Sequence, residues 1–184
     1  FAAEPFFFSY EKKNGSRKIY ADVLKYFSIF SAFIFLVVML YLDFVKHFVG
    51  SSFQSERGIE IVPILLMANL FLGIYYNLSV WYKLTEKTSY GALLAVFGAL
   101  ITLILNIILI PRIGFIGSAW ATLACYLSMM LASLIIGRIH YPIPYDLKRI
   151  FSYIFLSFAL YKLSDLLNTT MLMNTVYLAV FIVA

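Results

Sequence analysis

The side chains able to do chemistry are few, and most stand inside apolar runs. Asn69, Gly73, Tyr76 and Asn77 occur in "MANLFLGIYYN", at spacings that put them on one side of a helix. Amides at membrane depth are costly unless they find partners or water. The strip is therefore expected either to make interhelical hydrogen bonds or to line a hydrophilic cavity. Glu4 precedes Pro5 in "FAAEPFFF", where a proline frees a helix carbonyl and the carboxylate beside it makes a polar spot. That pair fits a cavity or ion-coupling role, or an interfacial helix end. Asn106 stands inside the apolar run "LITLILNIILI", shortly ahead of Pro-Arg-Ile-Gly.

Catalytic constellations are not found. His47 and His140 fall at opposite ends of spans and have no metal-ligand spacing. There is no GxSxG, no phosphate-cradling glycine loop and no paired-carboxylate motif. Cys125 is the single cysteine, so an internal disulfide or a cysteine metal cage is impossible, and a small packing residue is expected there. The expectation is a protein that is not an enzyme and holds no metal or cofactor.

The elements that position these groups follow from composition. Of 184 residues, 63% are hydrophobic and 12% charged, and the mean hydropathy is +0.92. Soluble domains are about 25% charged and about 45–50% apolar. Uncharged runs extend over 61–82, 88–111 and 113–137, and a helix of roughly 20 apolar residues crosses a bilayer. A secretory signal peptide is a single apolar segment and cannot account for an array of them. The predicted class is all-α, a polytopic transmembrane bundle with spans near 1–8, 21–49, 59–83, 88–110, 114–137, 149–167 and 171–184. The chain begins with Phe and stops within an apolar run, which reads as a fragment of a larger membrane protein. Pro111 is expected to end one helix of a tight hairpin, with Gly114 and Gly117 opening the next.

Charge sets the orientation. The links 10–20, 83–89 and 138–149 hold nine of the fourteen Lys and Arg residues, so the positive-inside rule places them in the cytoplasm. The net charge of +5 is accounted for by these links, and no nucleic-acid partner is implied. Trp81 and Tyr82, at the inner boundary, are expected to be interfacial anchors. Gly91, Ala95, Gly98, Thr102 and Asn106 make one stripe of small and polar residues, and Gly117, Ala121, Ala124, Ser128 and Ala132 repeat its steps. Lipid offers no hydrophobic drive between helices, so such stripes are expected as packing seams.

Three stretches together resemble a family. They are "FAAEPFFFSYEKK", "IVPILLMANLFLGIYYNLSVWYKLTEKT" and "NIILIPRIGFIGSAWATLACY", a proline-centred helix end with a basic loop, an inward helix with a Lys-Thr exit, and a hairpin of small residues. The pattern is similar to bacterial polysaccharide-repeat-unit flippases, in the superfamily that also holds multidrug and toxic-compound exporters. Ser118 and Trp120 depart from the usual small-residue run. The resemblance covers about residues 1–140. It implies a two-lobe exporter in the bacterial inner membrane, with this chain as most of the C-terminal lobe. The N-terminal lobe and the bilayer would be its partners, and a polyprenyl-pyrophosphate-linked oligosaccharide its substrate. Glu4, Asn69, Tyr76, Asn77 and Asn106 would be cavity or gate residues. A cation-coupled multidrug exporter and a membrane-embedded transferase of polysaccharide assembly are the alternatives.

Overall fold

A computed structural model describes residues 15–45, 56–167 and 171–183. Glu4, the expected span 1–8 and His47 lie outside the described residues. The helices are α1 (Ser16–Leu40), α2 (Leu42–Val45), α3 (Glu56–Leu78), α4 (Val80–Leu84), α5 (Ser89–Ile113), α6 (Phe115–His140), α7 (Leu147–Leu167) and α8 (Met171–Val183). The described residues are 91% helical, and no strand occurs among them. Hydrocarbon offers no partner to a backbone N–H or C=O, so helices that satisfy themselves internally are the form available to such a chain. Five stretches are long and apolar enough to cross a membrane, counting Gly58–Leu84 as one. This is an all-α, multi-pass membrane bundle.

The core lies where α3 meets α6 and α1 meets α7, with Leu24, Leu36, Ile74, Leu78, Met130 and Ile150 packed together. Helix α5 stands apart. It packs on α6 and buries only Leu94 and Gly98, while Leu93, Val96, Leu100, Leu103, Ile104 and Ile107 are exposed. An aliphatic surface of this kind is at home against lipid tails.

The helix boundaries depart from expectation where the backbone finds a different partner. The first described span starts at Ser16, after Gly15, and is interrupted at Tyr41. The helix containing Pro111 runs on to Ile113. A proline in the last turn forfeits one hydrogen bond but leaves the chain free to continue. The break falls at Gly114, where φ 67° and ψ −147° describe a conformation open essentially to glycine. Three residues later Gly117 approaches Leu109 so closely that an added Cβ would lie 2.7 Å from its carbonyl carbon. The hairpin is tight because two backbones touch.

The small-residue seam also shifts. Gly98 faces Cys125 and Met129, and the Cys125 thiol donates to the Gly98 carbonyl at 3.2 Å. On α6 the buried line runs Gly117, Ala121, Cys125, Met129, while Ala124 is half-buried and Ala95 is exposed. Strict steps of four follow the ridge along which helices interlock; the alternating steps expected from sequence leave that ridge at residue 124. Trp81 and Tyr82 are not surface anchors, being 1% and 6% exposed. Gly137 and Gly91 make room for them, since a Cβ at either would lie 2.9 Å from the indole or phenol ring.

Candidate functional site

The helix α3 carries its polar groups on the outside of the bundle. Asn69 is exposed and Asn77 half-buried, and Tyr76 is 58% exposed. Between them Gly73 admits the Phe27 ring of α1, which occupies the place of a side chain. A shallow groove of about 170 Å³ beside them is lined by Ser31, Ile34 and Phe35 of α1 and by Leu66, Asn69 and Leu70. Asn69 sits near the middle of the span Gly58–Leu84, only about 3 Å from its centre at about 1.5 Å per residue.

The amides are held by their own helix. Asn69 Nδ2 donates to the Leu65 carbonyl at 2.8 Å, and Asn77 Nδ2 donates to the Gly73 carbonyl at 3.0 Å. Both bonds are intrahelical, so the expected interhelical ties are not what these amides make among the described residues. Each carboxamide oxygen is left as an acceptor on the bundle surface. With the Tyr76 phenol, the strip offers polar contacts at a depth where hydrocarbon would penalise them. It contains no acid or base for proton transfer at neutral pH.

The structure does not bring every expected residue here. Asn106 belongs to α5, whose main contact is α6; its Oδ1 is buried and has no hydrogen-bond partner among the described residues. Gly91, Gly98, Gly117 and Ala121 belong to the packing described above and are not in the lining of the groove beside Asn69.

A second polar locus was not singled out by the sequence. Where α1 ends, α3 begins and α7 meets α8, an open cavity of about 650 Å³ is lined by Glu60, Pro63, Tyr161, Lys162, Asp165 and Asn174, among others. Asn174 ties its walls together: Nδ2 donates to the Leu40 carbonyl at 2.8 Å, and Ser164 Oγ donates to Oδ1 at 3.0 Å. Lys162 lies 3.5 Å from Asp165. The one clue in sequence was the pair Lys162 and Asp165 interrupting an otherwise apolar run.

The opposite, basic end is closed by rings. Trp81 stacks on His140 with centroids 5.6 Å apart, and the Tyr90 hydroxyl is 3.0 Å from His140 Nε2. His140 Nδ1 is 3.1 Å from the Ile136 carbonyl. Nδ1–H donates to the Ile136 carbonyl, and Nε2 is left to pair with the Tyr90 hydroxyl. Arg17 lies over the Tyr141 ring at 4.7 Å, and burial pushes the neighbouring Tyr145 phenol above its ordinary pKa. Compared with family models, curated proteins and solved structures, the chain matches none.

Proposed function

We propose that this chain is the C-terminal lobe of a two-lobe bacterial inner-membrane transporter that flips a polyprenyl-pyrophosphate-linked oligosaccharide by alternating access. The observation that carries the reading is the contrast between two exposed faces. The α5 face is apolar through its middle, while the α3 face shows Asn69, Tyr76 and Asn77 at comparable depth. A lobe with one greasy face and one polar face has a side for lipid and a side for a wet path against a second lobe.

The polar head of the substrate would travel along the strip while its lipid tail stays in the bilayer. Carboxamide oxygens accept from sugar hydroxyls, and the phenol both donates and accepts. A pyrophosphate needs Arg or Lys, and Lys25 is already bound to Asp22 at 2.7 Å. The cations for the phosphates are therefore assigned to the N-terminal lobe.

The test is the double variant Asn69→Ala/Asn77→Ala in a host whose surface polysaccharide depends on this gene. Export is expected to fall by about tenfold or more, the loss of one or two polar contacts, with the amount of folded protein unchanged. Normal export would refute the proposal. Intact polysaccharide with increased sensitivity to cationic drugs would favour the multidrug exporter instead.

A further inference from the structure

The open cavity at the end of the bundle away from the basic links has walls unlike the rest of the molecule. We propose that it is a binding site for a polyhydroxylated ligand, a pyranose unit or short glycan, with Glu60, Lys162 and Asp165 as its hydrogen-bonding groups. The inference deepens the transporter reading, on which it rests for the direction from which such a ligand arrives. The charge asymmetry of the links puts this end outside the cytoplasm.

Size and charge select the ligand class. About 650 Å³ falls within the roughly 300–1,000 Å³ usual for small-molecule sites and is far too large to coordinate a bare ion. No group of three metal-ligating side chains occurs among the described residues. The Lys162 ammonium lies 3.5 Å from Asp165 and 5.2 Å from the centre of the Tyr161 ring, so both signs of charge stand in one wall. An anion would face two carboxylates and a cation would face the ammonium. A sugar hydroxyl suits both, because it donates to a carboxylate while accepting from an ammonium.

The walls are also held in place. Asn174 is fixed between the Leu40 carbonyl and Ser164, and Tyr161 meets Phe35 edge-on with centroids 6.2 Å apart. Pro63, a turn along α3 from Glu60, has no N–H to offer the Ile59 carbonyl, and both residues line the cavity. That carbonyl is a further acceptor for a hydroxylated ligand.

Saturation-transfer NMR on the intact protein in lipid nanodiscs tests the assignment, with cellobiose, chitobiose and tetramethylammonium as probes. At least one disaccharide is expected to give a signal above empty nanodiscs. The signal should fall by at least about tenfold in Glu60→Gln/Asp165→Asn, the loss expected for charge-assisted hydrogen bonds. Glu60→Trp provides a second check, since that lining position is exposed and a large ring there would take up cavity space without disturbing the core. Absence of a signal from both sugars, an undiminished signal in both variants, or a response to tetramethylammonium alone would overturn the assignment. A sugar signal that Glu60→Gln/Asp165→Asn removes supports this site even where the export test of Asn69→Ala/Asn77→Ala fails, and lost export in that test without any sugar signal here overturns this site alone, so the two readings fail separately.

Discussion

At Gly117 an added Cβ would press on the carbonyl of Leu109, whereas at Gly98 it would meet the thioether of Met129. A thioether swings aside, but a helix backbone moves only with its whole hairpin. Gly117→Ala is therefore expected to cost about 1–3 kcal/mol, the usual penalty of overpacking, and Gly98→Ala distinctly less. Thermal unfolding in detergent measures both. Equal losses would mean that backbone contact does not set the hairpin spacing. The sequence shows a small residue at each place but cannot say whether its neighbour is rigid. Tyr145 supports a different kind of prediction. Its phenol pKa is raised in the folded chain, so the folded state favours the neutral form. Its contribution is complete below the ordinary value of about 10 and is lost as pH rises from there towards the folded pKa. Tyr145→Phe should flatten the alkaline fall in stability and change nothing at neutral pH.

Helix ends are where local sequence and distant contacts compete. The apolar runs announce each span, and all five spanning stretches overlap the expected ones, because hydropathy is summed over many residues. The terminus after Pro111 was misplaced because proline is a loud local signal, while the φ of Gly114 depends on how the next helix must turn. Asn174 is a stronger case. In sequence it belongs to the uncharged link "NTTMLMN"; in the structure its amide caps the Leu40 carbonyl, 134 residues away. The end of α1 leaves carbonyls without helical partners, and α8 supplies the donor. Asn174→Leu, of similar size, takes the donor from that carbonyl and one acceptor from the Ser164 hydroxyl. It should cost about 1–3 kcal/mol and accelerate hydrogen exchange in Met171–Val183 beyond that in α6. If exchange in α8 were unchanged, Asn174 would not be what docks it.

The bundle as a whole has two kinds of outer surface, and this asymmetry was only half legible in the sequence. The spacing of Asn69, Tyr76 and Asn77 showed that they share a side of α3. It could not show that this side is turned outward, since that depends on where α1 and α6 pack. Nor could it anticipate that the cavity near Glu60 assembles from the ends of separate helices. Lysine scanning reads the difference between the two surfaces without knowledge of any substrate. At the centre of a span facing hydrocarbon, a lysine costs about 2.5–3.5 kcal/mol. Leu103 is 58% exposed near the middle of α5, and Leu103→Lys should sharply reduce the folded protein recovered from membranes. Asn69 is equally central but lies on the strip read as wet, so Asn69→Lys should be recovered in several-fold greater amount. Comparable losses would place both faces in lipid and remove the physical basis for a polar path along α3. A large difference would show that the α3 face is shielded from hydrocarbon, by water or by a second lobe. Labelling of Asn69→Cys in a Cys125→Ala background with a water-soluble maleimide then separates those two, because a dry interface between lobes would leave the thiol unreactive.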